Sequence, residues 1–94
     1  MCEIRLREEY PNVTVTAHSG RLDSATKVKV AHGVPGENFK WDDMHLQHGQ
    51  WIASVTPGST RGRDFEFHIY VIDQNGEPIF VDQNSLYIPN PKKK

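Results

Sequence analysis

Five histidines are the residues of this sequence best suited to metal or acid–base chemistry. His45 and His48 are three positions apart, so on a helical turn they could share a face and bind zinc. A structural zinc site needs four ligands, and Cys2 is the one thiol in the sequence. We therefore predict solvated histidines, no metal site and no cofactor, and keep a histidine-based metal or pH-sensitive site as a minor alternative. The other three histidines are His18, His32 and His68.

Residues that could perform covalent or acid–base catalysis do not occur in a recognised arrangement. The serines lie outside any Gly-x-Ser-x-Gly sequence, the turn that exposes a nucleophile in many hydrolases. The acid pairs Glu8-Glu9 and Asp42-Asp43 are adjacent, so on an extended chain their side chains diverge rather than flank one bond. The glycines are too scattered to form a phosphate-binding loop. These patterns predict a protein that is not an enzyme.

Aromatic residues give a more specific indication. Trp41 lies in a polar segment, which the pattern predicts to be a loop, beside Asn38 and Asp42. An exposed ring beside amide and acid groups suits carbohydrate binding, because the apolar face of a sugar packs on the ring while hydroxyls bond at its rim. The alternative is that Trp41 covers one end of a thin core. Tyr70 and His68 lie on the polar face of a predicted strand.

Length, charge and hydropathy limit the kinds of protein this can be. The chain has 94 residues, enough for one domain, and no apolar run near the roughly 20 residues that cross a bilayer. The net charge is -1, and without Lys92-Lys93-Lys94 it is 8 basic against 12 acidic residues, or -4, which argues against nucleic-acid binding. The first residues lack a signal-peptide pattern. With the lone Cys2, this predicts a reduced, cytoplasmic setting.

The elements that must position these residues are predicted to be strands. Residues 64–73 alternate cleanly, with Phe65, Phe67 and Ile69 on one face, and therefore predict a long central strand. Residues 73–77 indicate a hairpin turn. About seven short strands separated by turn signals predict one all-β domain over residues 1–91, an antiparallel immunoglobulin-like sandwich. Residues 92–94 are predicted to be a disordered basic tail.

The middle of the chain also has an ordered series of motifs. A strand is followed by Gly-Glu-Asn-Phe-Lys-Trp, a Met-His-Leu stretch, a glycine before an aromatic-led strand, an aromatic-rich strand ending in Val-Ile-Asp, and a later Val-Asp pair. These segments are residues 27–30, 36–41, 44–46, 49–55, 65–73 and 81–82.

This series resembles the glycogen- and starch-binding immunoglobulin-like carbohydrate-binding modules over roughly residues 26–84. The resemblance implies a β-sandwich and a sugar contact at Trp41, with a second contact at Asn84. The sequence departs from such modules at two positions. Glu66 stands where a sugar-binding lysine is common, and Ile79-Phe80 stand near the place of a second platform tryptophan.

The sequence thus predicts a non-catalytic module that recognises an α-glucan-like oligosaccharide or polysaccharide. Trp41 would be the stacking platform, with hydrogen bonds from Asn38, Asp42, Gln83 and Asn84. The alternative is a protein-interaction or homo-oligomeric assembly module that uses an exposed strand edge, whose unpaired N–H and C=O groups can pair between subunits. Neither interpretation involves nucleic acid or a membrane.

Overall fold

Eight β-strands form the protein in a computed structural model that describes residues 2–58 and 61–91. The chain within these ranges contains no α-helix, and so no helix that could span a membrane. The predicted basic tail at residues 92–94 lies outside the described residues. The strands are β1 (Glu3–Glu9), β2 (Asn12–His18), β3 (Val28–Gly33), β4 (Lys40–Asp43), β5 (His45–Gln47), β6 (Gln50–Val55), β7 (Arg63–Ile72) and β8 (Pro78–Ile88).

The strands form two four-stranded antiparallel sheets. The first sheet has the order β1-β2-β6-β5, and the second has the order β4-β3-β7-β8. The prediction of an all-β antiparallel sandwich is confirmed, with eight strands rather than about seven. The chain passes between the sheets at Met44, directly between β4 and β5.

The core between the sheets follows the alternation in the sequence. Phe65, Phe67 and Ile69 of β7 are fully buried, because every second residue of a strand points to the same face. Trp51 of β6 is also buried, and its indole Nε1 donates to the Leu22 carbonyl at 3.3 Å. Valines supply much of the remaining buried surface: Val13, Val15, Val28, Val30 and Val55.

The largest departure from the predicted elements is the position of Trp41. This residue lies in strand β4, whereas the sequence pattern placed it in a loop. Strand β4 is a four-residue edge strand whose inward-facing residue is the polar Asp42, so it has no apolar alternation to read. Backbone pairing with β3 forms the strand instead, with Ala31 opposite Trp41.

Two other segments also differ from expectation. The return strand of the hairpin is one element of 11 residues, longer than the short strands that the sequence predicted. The polar residues at 83–85 interrupt the hydrophobic pattern without interrupting the pairing with β7. His45 lies in β5 and His48 in the following turn with φ 52°, so the two do not share a helical face.

Candidate functional site

Aromatic rings gather on the outer face of the second sheet. We call Trp41, His68, Tyr70 and Phe80 the aromatic face. Trp41 and His68 both pair with Ala31 in register, and Tyr70 pairs with Phe80, so all four point away from the core. Three strands therefore contribute rings to one surface, which no single segment of the sequence displays.

The rings of the aromatic face are in mutual contact. The centroids of Trp41 and Tyr70 are 4.8 Å apart with the planes tilted by 39°. Tyr70 meets Phe80 edge-on at 5.7 Å, and His68 meets Phe80 edge-on at 6.0 Å. These spacings lie in the favourable range for aromatic pairs. Trp41 and Phe80 are each 46% exposed, so the contacts fix the rings while leaving ring surface open to a ligand.

Small residues in the central strand β3 make room for these rings. Ala31 is almost fully buried although it lies on the outer face, because it pairs with both Trp41 and His68. A Cβ added at Gly33 would lie 3.0 Å from the Cδ1 atom of Phe39, the ring that packs against His68. Larger side chains at these two positions would lift the rings off the sheet.

A β-bulge in β8 brings Phe80 to this surface. The pairing of β7 and β8 shifts by one residue where Ile69 pairs with Asp82 and Tyr70 with Phe80. Val81 is the extra residue, and it packs against the core. Without the shift, strict alternation would place Val81 outside and Phe80 inside.

Polar groups surround the aromatic face. Lys29 and Asp43 form an ion pair with Nζ and Oδ1 3.2 Å apart, and their registers place them next to Tyr70 and Trp41. Glu66 Oε1 lies 2.9 Å from His68 Nε2, which holds the imidazole in place. A ligand on the rings would thus meet carboxylate and ammonium groups at the edge, which is the usual composition of a polar rim.

Two of the predicted ligand residues lie on the aromatic face. Trp41 is half-exposed at the edge of this face and is therefore not a core residue. Gln83 pairs with His68 across the sheet and is exposed on the same surface. Asn38 is exposed in the segment before β4.

The side chains of the other two predicted ligand residues are engaged elsewhere. Asp42 points to the opposite side of β4, and its Oδ2 lies 2.7 Å from Nε2 of the buried His32. Asn84 pairs with Phe67, and its side-chain nitrogen donates to the Ile4 carbonyl at 3.0 Å, joining the two sheets along β8 and β1. Both side chains support the sandwich rather than the outer face.

Tyr70 and His68 carried a sequence signal, because both lie on the outer face predicted for β7. Phe80 did not, since its orientation depends on the bulge.

Across residues 2–58 and 61–91, no three His, Cys, Asp or Glu side chains cluster closely enough to hold a metal. Burial and, secondarily, the charge of Asp82 raise the pKa of the Cys2 thiol, which lowers its reactivity.

The edges of the two sheets bear on the predicted assembly function. The β1 and β8 edges are joined by the Asn84 bond to Ile4, and β5 is only three residues long. Short or covered edges offer little unpaired backbone to a second chain. Strand β4, also short, carries Trp41 at its centre.

Comparison with solved structures places the fold among known β-sandwiches. A crystal structure of a Br derivative of BhCBM56 matches with a TM-score of 0.64 and 16% identity, over 89% of this chain and 88% of that chain. A carbohydrate-binding module family 56 domain, described as β-1,3-glucan binding, matches with a TM-score of 0.62 and 14% identity, over 92% of this chain and 98% of that chain. No protein-family model matches the sequence, and no curated protein matches it either.

These comparisons refine the resemblance seen in the sequence. Both neighbours are carbohydrate-binding modules, but of family 56 rather than the glycogen- and starch-binding modules. At this level of identity the similarity shows the fold. The chain shares the architecture of carbohydrate-binding modules and presents contiguous half-exposed aromatic rings on one sheet.

Proposed function

We propose that the protein is a non-catalytic carbohydrate-recognition module that binds a glucan on its aromatic face. The observation that carries this proposal is the continuous contact of Trp41, Tyr70 and Phe80 on an open sheet surface. A surface of this kind suits a ligand that is apolar on one face and polar at its edges. A pyranose ring has this character.

The binding energy would come from two sources. Covering about 50 Å² of the Trp41 ring with sugar C–H groups is worth roughly 1 kcal/mol at about 25 cal/mol per Å². Hydrogen bonds from sugar hydroxyls to Gln83, Glu66 and Asp43 would set the orientation, since these groups surround the rings. Each contributes modestly because it exchanges a bond to water for a bond to sugar.

The proposed ligand class is a β-1,3-glucan. One structural neighbour is described as binding this polymer, and it covers nearly the whole of this fold. The sequence resemblance instead suggested an α-glucan, so glycogen is the necessary comparison. Asn84, which the resemblance implied as a sugar contact, and Asp42, predicted from its place beside Trp41, both face away from the rings.

The proposal is tested by calorimetric titration of the protein with soluble laminarin, a β-1,3-glucan, and with glycogen. We expect saturable binding of laminarin, weaker or no binding of glycogen, and a loss of about tenfold in affinity in Trp41→Ala. The matched control is Tyr10→Ala, because Tyr10 is an exposed aromatic residue in the β1–β2 turn, away from the aromatic face. Melting temperatures measured in parallel separate lost binding from lost folding.

Two results would overturn the proposal. One is the absence of binding to either polymer; the other is equal loss of affinity in Trp41→Ala and Tyr10→Ala. A light-scattering mass of two or more chains, together with no sugar binding, would instead assign the exposed aromatic surface to assembly.

A further inference from the structure

An open groove continues from the aromatic face toward the turn between β7 and β8. Its volume is about 400 Å³, within the range of small-ligand sites. Trp41 lines the groove as well as the aromatic face, so a chain of sugars lying on the rings would extend into it. The lining residues are Lys27, Lys29, Trp41, Ile72, Gly76 and Pro78.

The two lysines of this groove lie on the outer side of the sheet. Lys29 pairs in register with Tyr70, so their side chains share a face. The backbone N–H of Ile72 donates to the Lys27 carbonyl at 3.0 Å, which places Lys27 beside the end of β7, two residues before Lys29. Lys27 directly precedes β3, and both lysines line the same groove as Trp41.

Two lysines and no acidic residue line the groove. Lys29 is neutralised by Asp43 at 3.2 Å. Lys27 is exposed and forms no ion pair with any carboxylate among the residues that the structure describes. The carboxylate of Asp73 in the adjoining turn accepts bonds from the backbone N–H groups of Asn75 and Glu77, both at 2.8 Å. One ammonium group is thus available to a ligand.

We propose that this groove is a subsite for an acidic sugar, so that the preferred ligand is a β-glucan carrying a glucuronate carboxylate next to the sugar on Trp41. The inference rests on the proposed function, because the glucuronate is the neighbour of the glucose that stacks on Trp41. A carboxylate matches the single available ammonium group in charge, whereas a phosphate monoester carries about −1.5 to −2 charges at neutral pH. The Gly76 N–H is already bound to the Asp73 carbonyl at 2.9 Å.

The expected effect is small but measurable. An exposed ammonium–carboxylate pair contributes little in water, so we expect about threefold tighter binding of the acidic ligand than of its neutral counterpart at low salt. The preference should decrease as the ionic strength rises, because salt screens exposed charges. Neutral sugar binding on the rings should depend on salt only weakly.

The test compares two probes of equal length by calorimetry: laminarihexaose, and laminarihexaose in which one terminal glucose is oxidised at C6 to glucuronate. Both are titrated into the full chain at about 20 mM and about 300 mM salt. The readout is the ratio of the two affinities. We expect a ratio of about three at low salt and near one at high salt.

Two variants test whether the preference for the acidic probe arises in the groove. Lys27→Gln should bring the ratio to about one, and Arg7→Gln, which removes the same charge from the first sheet, should leave it unchanged. A ratio of one in the unmodified protein, or equal loss in both variants, would overturn the acidic subsite while leaving glucan binding established. If neither probe binds, it is the proposed function that fails. Polyglutamate that binds as tightly as the acidic probe would show that the groove attracts anions without reading sugar.

Discussion

The two sheets of this protein share one core and differ in what they present to solvent. The outer face of the second sheet carries contacting rings from three strands. Across strands β1, β2, β5 and β6, the outward positions of the first sheet hold no tryptophan, tyrosine or phenylalanine, and a depression of about 560 Å³ there is lined by Leu6 and by charged, hydroxyl and amide side chains. These are Arg5, Arg7, Thr14 and Thr16, together with Gln50.

Both arginines of β1 are paired with glutamates of the same strand. Arg5 is bound by Glu3 at 2.9 Å, and Arg7 lies 3.5 Å from Glu9. These ion pairs are exposed and therefore well solvated. Burial of the inner faces explains why the chain folds. Folding does not require the exposed aromatic rings on the outer face of the second sheet. An exposed apolar patch of this kind indicates a binding surface.

The largest expected effect comes from comparing the two tryptophans, because Trp51 belongs to the core and Trp41 to the aromatic face. Trp51→Ala should lower the free energy of unfolding by about 3–5 kcal/mol, because it opens a cavity in the core. Trp41→Ala should cost about 1 kcal/mol, mainly the contact with Tyr70. Urea unfolding of both variants measures the difference. Equal losses would mean that Trp41 is a core residue.

The next effect concerns Asp42, which lies beside Trp41 in sequence but points to the opposite side of β4, where its half-exposed carboxylate contacts buried His32. Replacing it with Ala removes the carboxylate partner of buried His32, and we expect a loss of stability of about 1–3 kcal/mol. Laminarin affinity should stay within about twofold of the unmodified protein, because the side chain is on the far side of β4. A large loss of affinity at unchanged stability would restore Asp42 as a ligand residue.

A smaller effect is expected from Phe80, the ring that depends on the bulge. Phe80→Ala should weaken laminarin binding about fivefold, since it removes exposed ring surface next to Tyr70. Its cost in stability should be near 1 kcal/mol, well below that of Phe67→Ala on the core side. Titration and melting curves of the two variants provide the check; unchanged binding in Phe80→Ala would confine the site to β4 and β7.

The smallest effect is expected on the first sheet. Arg7→Ala removes an exposed ion pair with Glu9 and should change the free energy of unfolding by less than about 0.5 kcal/mol. It should not change laminarin affinity. Urea unfolding and titration of this variant test the contrast between the sheets, and weakened binding would show that the ligand reaches the first sheet.

The sequence predicted those strands and turns whose structure is determined by residues close together in the chain. Strand β7 was predictable, because Phe65, Phe67 and Ile69 alternate with polar residues. The turn after it was predictable from Gly76, which adopts a positive φ. The two sheets followed from the repeated alternation. Strand β4 was not predictable, because its pairing with β3 stabilises a segment that has no apolar alternation of its own.

The candidate site was predictable only in part for the same reason. Trp41 was identified from its polar surroundings, and Gln83 lies on the same face. Asp42 was predicted from its chemistry and Asn84 from the resemblance, but the alternation of their strands directs both partly exposed side chains away from the rings. Phe80 reaches the surface only through a one-residue shift in register, which the sequence does not mark.

The central claim is that ligand binds the second sheet's outer face and leaves the core and the first sheet untouched. The two indole N–H groups test this most directly, because Trp41 is half-exposed on that face while the indole of Trp51 is buried and bound to the Leu22 carbonyl. In an amide-detected NMR titration with laminarihexaose, we predict that the Trp41 indole signal shifts and saturates while the Trp51 signal stays in place. Shifts concentrated on β1 and β2, or no shift of the Trp41 indole at saturating sugar, would contradict the account.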